Sequence, residues 1–166
     1  MPSTLGSSPT ILVVDDEPAV LNLVKLILEA AGYAVMAACD GRQALALCEN
    51  RNYTIDLLLT DINMPDIGGL KLACQVSEMV PDLPVIFMTG RRPDSPSIEL
   101  LRSEGPFSDC EVISKPFTSH ELLEEVSHHF VNKYGWAAGS LTSNVRQERR
   151  LSGEFSAAAA QGVRKW

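Results

Sequence analysis

The sequence predicts an α/β protein, a doubly wound sheet of five parallel strands with helices on both faces. Two observations predict it. Short continuous apolar runs rich in β-branched residues recur, "TILVVD", "IDLLLTD" and "PVIFMTG" among them, and such runs mark strands covered on both faces. Between them lie segments with apolar residues at helical spacing. Strand and helix therefore alternate along the chain, which implies parallel pairing with right-handed crossovers.

The elements follow in order. Residues 1–9 are rich in Ser, Pro and Gly and read as a loose start. "TILVVD" is the first strand. Pro18 suits the first turn of a helix, where its missing N–H is no loss. That helix places Val20, Leu23, Val24, Ile27 and Ala31 on one face and Asn22, Lys25 and Glu29 on the other. Gly32 is its expected C-terminal stop. "YAVMAA" reads as a strand and "GRQALALCEN" as a short helix. "IDLLLTD" is a buried strand ending in Asp61, "MPDIGG" a loop, and 69–80 a helix. "PVIFMTG" ends at Thr89 and Gly90. The stretch "RRPDSPSIELLRSEGPFSDC" carries three prolines, and only "SPSIELLRSE" has helical character, so a short, shifted helix and a long loop are expected. "EVISKPF" holds a brief strand ending near Lys115. In "TSHELLEEVSHHFVNKY", Thr118 and Glu121 form a capping box, followed by Leu122, Val126 and Phe130 at helical spacing.

The division expected is a flexible 1–9, a domain over 10–133 and a tail over 134–166. The tail is rich in Gly, Ser and Ala, lacks a sustained apolar face, and carries five basic against two acidic residues. It reads as a disordered basic tail.

Composition narrows the function. The 166 residues include 45% hydrophobic and 21% charged ones, with a net charge of −7. An acidic chain is a poor default partner for nucleic acid. No run of about 18 apolar residues occurs, so no membrane span is expected. "MPSTLGSSPT" has neither the basic nor the apolar part of a secretory signal. Cys39, Cys48, Cys74 and Cys110 form no CxxC pair, which argues against zinc. Cys48 and Cys74 read as small core residues, and the set suggests a reduced, cytoplasmic setting. His120, His128 and His129 read as exposed helix histidines.

Chemistry gathers at the strand ends. "ILVVDDEP" runs an apolar strand straight into Asp15, Asp16 and Glu17. Carboxylates at the edge of a core repel one another and need a cation. Asp61 ends the third strand, Thr89 the fourth and Lys115 the fifth. In doubly wound sheets, sites form beyond the carboxyl ends of strands, at the switch in strand order. If the order is 2-1-3-4-5, Asp15, Asp16 and Asp61 converge. Each residue alone has a bland reading: a turn acid, a loop cap, a β-former, a solvated lysine. Their combination, each at a strand end, is far more specific.

On "ILVVDDEP", "LLLTDINMPDIGGL", "PVIFMTG" and "SKPF", the chain resembles the receiver domains of two-component response regulators over about residues 10–133. The resemblance implies a flavodoxin-like sheet of order 2-1-3-4-5, an order that the general description of this fold class already gives. It implies that Asp61 is the phosphoacceptor, taking a phosphoryl group from a phosphohistidine of a sensor histidine kinase or histidine phosphotransfer protein. It implies that Asp15, Asp16, Asp61 and the backbone carbonyl of Asn63 hold Mg²⁺, a hard cation that suits oxygen ligands. Lys115 would supply positive charge and Thr89 a hydroxyl to the phosphoryl group, Gly90 would leave it room, and Lys115–Pro116 would be cis. The family usually carries Tyr or Phe three residues before the lysine. This chain has Val112, so an atypical output face is expected.

The function expected is a phosphoryl-accepting switch that signals through protein–protein contact, without a DNA-binding domain, a membrane association or turnover of an outside substrate. Its downstream protein is unknown and dimerisation is open. The alternatives are a receiver fragment of a hybrid histidine kinase and, lower, an aspartyl-phosphate phosphatase-type enzyme. Such enzymes place the nucleophile in a D-x-D on the first strand, whereas Asp15 and Asp16 are adjacent. A flavodoxin-type binder ranks last, because three acids after the first strand would repel a phosphate.

Overall fold

A computed structural model describes residues 8–50, 52–90, 98–99, 103 and 106–134. Its elements are β1 (Thr10–Val14), α1 (Pro18–Ala30), β2 (Ala34–Ala38), α2 (Gly41–Glu49), β3 (Leu57–Asp61), α3 (Gly69–Met79), β4 (Val85–Thr89), β5 (Glu111–Ser114) and α4 (Ser119–Tyr134). The expected helix at "SPSIELLRSE" lies largely outside the described residues; Ile98 and Glu99 are helical. Most of 1–9 and all of the tail beyond Tyr134 lie outside them too. The chain divides into two compact units, Met1–Val126 and Ser127–Trp166, and the sheet and the strand-end residues belong to the first.

The five strands are parallel, in the order β2-β1-β3-β4-β5. β1, β3 and β4 are interior strands, and four of the five β1 residues and every residue of β3 and β4 are buried. That is why they read as unbroken apolar runs. One sheet face gathers Leu12, Val14, Leu58 and Phe87 with Ala44 of α2 and Leu72, Ala73 and Val76 of α3. Burying a leucine side chain fully is worth about 1.5–3 kcal/mol, so this layer dominates the stability of the scaffold. The opposite face presents Ile11, Val13, Leu57, Leu59, Ile86 and Met88, all buried. α1, which buries Val24 and Leu28, adjoins β1 and β2.

The predicted caps are present. Glu17 precedes Pro18 at the start of α1, and Gly32 sits past its end at φ +92°. In α4, the Thr118 hydroxyl and Glu121 carboxylate form the reciprocal box. Thr118 N–H donates to Glu121 Oε2 at 2.7 Å and Glu121 N–H donates to Thr118 Oγ1 at 3.2 Å.

Three expectations need correction. Leu23 is 51% exposed, not on the core face of α1; Leu28, one turn after Val24, takes the buried place. The helix carries apolar residues at 23, 24, 26, 27 and 28, a stripe too wide for spacing alone to choose which of them faces the sheet. Cys74 is exposed and Cys48 only half-buried, because α3 turns Leu72, Ala73 and Val76 inward and leaves position 74 to solvent. Of the three histidines, His120 and His128 are exposed, but His129 is half-buried.

Val112 pairs with Phe87 across β4–β5 and is half-buried against the same apolar cluster. The aromatic ring beside Phe87 comes from Phe107, in the segment before β5, packed edge-on at 5.8 Å.

Candidate functional site

The strand ends are fixed by backbone hydrogen bonds just past the sheet. Asp15 N–H donates to the Ala38 carbonyl at 3.2 Å, Ile62 N–H to Met88 at 2.9 Å, and Lys115 N–H to Thr89 at 2.7 Å. Each tie holds a candidate site residue, or its neighbour, at the carboxyl edge. One carboxylate oxygen from each of Asp15, Asp16 and Asp61 lies within 4.8 Å of the others. Asp15 and Asp61 are buried and Asp16 is exposed, so the cluster is a shallow well open on the Asp16 side.

Lys115 reaches into this well. Its Nζ lies 2.6 Å from Asp15 Oδ2 and 3.5 Å from Asp61 Oδ2. The lysine that begins beyond β5 thus spans β4 and β3 to meet an acid of β1, a reach its flexible four-carbon stem permits. The Lys115–Pro116 bond is cis, as the resemblance implies. The other oxygen of Asp15, Oδ1, accepts from Glu17 N–H at 2.9 Å. Asp61 Oδ1, by contrast, is buried and has no hydrogen-bond partner among the described residues. A buried carboxylate oxygen left in that state is costly unless a cation or donor meets it. The donor set therefore fits a divalent ion: hard oxygens, a bare buried acceptor, and excess negative charge.

Burial pushes the Asp61 carboxyl above the usual range, Lys115 pulls it back, and the Asp15 charge pushes it up again; hydrogen bonds from the Asn63 backbone and Lys115 also lower it. Lys115→Ala should therefore raise the Asp61 pKa further. A ¹³C NMR titration of the Asp61 carboxyl measures this, and an unchanged or lower value would contradict the assigned balance.

Thr89 is buried at the end of β4, and its Oγ1 accepts from Asn63 Nδ2 at 3.5 Å. The resemblance points to Asn63 through its backbone carbonyl; the structure adds a side-chain link to Thr89. At Gly90 an added Cβ would meet no described atom within 4 Å, so among the described residues nothing crowds that position. In the sequence Gly69 stands only as the start of a helix. A Cβ added there would collide with the Asp61 carbonyl oxygen. The doublet "GG" after the loop was the available signal, but the contact exists only once the chain has folded back.

The family model for the response regulator receiver domain matches residues 11–127. The chain belongs to the response regulator receiver family. This receiver is 36% identical over 118 residues to the transcriptional regulatory protein TrcR of Mycobacterium tuberculosis, covering 71% of this chain and 44% of that protein. It is 37% identical over 119 residues to the response regulator GtcR of Aneurinibacillus migulanus, covering 72% of this chain and 46% of that one. The receiver thus spans less than half the length of these relatives. Among solved structures, it is similar to a response regulator receiver domain protein from Clostridium thermocellum, with a TM-score of 0.66 and 29% identity over 75% of this chain and 96% of that one. It is also similar to the receiver domain of the hybrid histidine kinase CckA, with a TM-score of 0.59 and 32% identity over 72% of this chain and 97% of that one. The receiver is a two-component signalling module, and its aspartate cluster is of the kind at which such domains use Mg²⁺. No helix among the described residues is long and apolar enough to cross a membrane.

Proposed function

We propose that this receiver takes a phosphoryl group onto Asp61 from a phosphohistidine of a sensor histidine kinase or histidine phosphotransfer protein, and signals through contact with a further protein. The observation that carries the reading is the bare, buried Asp61 Oδ1 within a three-carboxylate cluster that Lys115 only partly neutralises. In the transfer, an Asp61 carboxylate oxygen forms a bond to phosphorus while the P–N bond breaks and its electrons leave with the imidazole. Such a transfer needs positioning and charge neutralisation more than covalent help.

Among the described residues, Asp16 and Asp61 are the acids of the cluster with oxygens still open to an ion. Both oxygens of Asp15 already accept a hydrogen bond, so Asp15 contributes charge and spare lone pairs. The Asn63 backbone carbonyl would complete the protein's share. Mg²⁺, when bound, supplies the positive charge that offsets the carboxylates and the incoming phosphoryl oxygens. Lys115 Nζ, already 3.5 Å from Asp61 Oδ2, holds the phosphoryl oxygens as a point charge. The Thr89 hydroxyl moves toward the site and donates to them, and its oxygen can go on accepting from Asn63 Nδ2. The same charges thus drive both the capture of the group and the displacement of the β4 end.

The test is incubation of the whole chain with a small acyl phosphate donor and Mg²⁺, read by intact mass. One phosphoryl group is expected, lost on treatment with hydroxylamine and absent when a chelator replaces the metal. A mass that never changes, or a group that survives hydroxylamine, would refute an acyl phosphate.

A further inference from the structure

We propose that Gly41, at the first turn of α2, is a positioning residue for the metal-binding loop between β3 and α3; this rests on the reading of the site given above. That loop carries Asn63. Its base is closed where Gly69 N–H donates to the Ile62 carbonyl at 3.0 Å and where Gly69 abuts the Asp61 backbone. Its far part, around Ile67, is braced from another element. Gly41 is buried, and a Cβ built on it would lie 2.7 Å from Ile67 Cβ, 2.9 Å from its Cγ2 and 3.1 Å from its carbonyl oxygen. These atoms sit at the root of a branched side chain or on the backbone, so they cannot swing aside.

The start of α2 is itself held firmly. Gln43 N–H donates to Asp40 Oδ1 at 2.7 Å and Cys39 N–H donates to Gln43 Oε1 at 2.8 Å, a reciprocal cap of the kind that fixes where a helix begins. The strand before it is tied to the first acid by the Asp15–Ala38 bond. A continuous path therefore runs from Asp15, through the end of β2 and the start of α2, to Ile67 and the Asn63 loop. Contact at this distance, with no room for a methyl group, makes Gly41 the spacer that sets the loop against the Asp15–Asp16 turn. Gly41 stands one residue past the Asp40 cap, where helix formation by itself disfavours glycine; the packing supplies the reason.

The test is calorimetric titration of Mg²⁺ into the whole chain, into Gly41→Ala, into Ile67→Gly and into the double variant, with circular dichroism to establish folding. Groups that orient metal ligands from outside typically change affinity about 10–100-fold when altered, so Gly41→Ala should weaken Mg²⁺ binding about tenfold or more. Placed on the Ile67→Gly background, which removes both close side-chain atoms, the same change should cost less than about twofold, the signature of direct coupling. If Gly41→Ala does not fold, Ile67→Ala carries the test, since it removes the Cγ2 contact without adding bulk and should also weaken Mg²⁺ binding. Folded variants that bind Mg²⁺ as the parent does, or an equal loss on both backgrounds, would overturn the role of Gly41 alone. A parent chain that binds no Mg²⁺ would overturn the reading of the site and this inference with it.

Discussion

Asp61→Asn should abolish phosphoryl uptake and, in the same protein, raise the midpoint of thermal unfolding at neutral pH in the presence of a chelator. The loss follows because the amide is not a nucleophile toward phosphorus and no other described residue replaces the carboxylate in the cluster. The gain follows from linkage. Burial raises the Asp61 pKa in the folded chain, so the native state binds more protons than the unfolded chain as pH rises through the carboxylate range. Folding stability therefore falls across that window, from the unfolded pKa up to the folded one, and stays lower above it. An uncharged Asn removes that penalty and flattens the pH dependence there, while Lys115 keeps Asp15 as its closer partner. Relief of this kind at a functional site is commonly worth about 0.5–2 kcal/mol. Differential scanning calorimetry from acid to neutral pH checks it. A variant less stable than the parent at neutral pH would mean that the carboxylate is a net structural asset and not a functional compromise.

Gly69→Ala should be the most damaging conservative change near the site. The added methyl would collide with the Asp61 carbonyl oxygen and lie 2.9 Å from its carbonyl carbon and 3.0 Å from Ile62 Cα. All three are backbone atoms at the end of a buried strand, so accommodation requires moving either the start of α3 or Asp61 itself. Overpacking of this kind costs about 1–3 kcal/mol, and the strand shift should also lower phosphoryl uptake per folded molecule. Gly90→Ala is the control, because no described atom crowds it and its folding should match the parent. Urea unfolding of both variants, with uptake normalised to the folded fraction, separates them. A Gly69→Ala protein as stable and as readily phosphorylated as the parent would show that the contact is slack.

Much of this molecule is legible in its sequence, for identifiable reasons. β1, β3 and β4 lie inside a sheet covered on both faces, so their burial is written as unbroken apolar runs. Asp15, Asp61, Thr89 and Lys115 could be picked out because each stands where such a run stops, and parallel strands bring their carboxyl ends to one edge. The partners those residues choose were harder to read. Lys115 meets Asp15 across 100 residues of chain, a pairing set by the reach of a long side chain over two intervening strands. Leu23 shows the limit of periodicity on a helix with an apolar stripe wider than the surface it covers. Gly41 and the Asn63 side chain act through contacts with segments well removed in the chain, Gly69 through one made only when the loop folds back onto the end of β3, and a glycine carries no sign of the backbone or side chain that will press against it.

The most direct measurement is a calorimetric titration of Mg²⁺ into the parent chain, Asp16→Asn and Asp61→Asn at neutral pH. The account predicts one ion bound per parent chain and marked weakening in both variants, because those two acids hold the oxygens still open to an ion. Absence of binding to the folded parent, or binding that both variants keep unchanged, would contradict it.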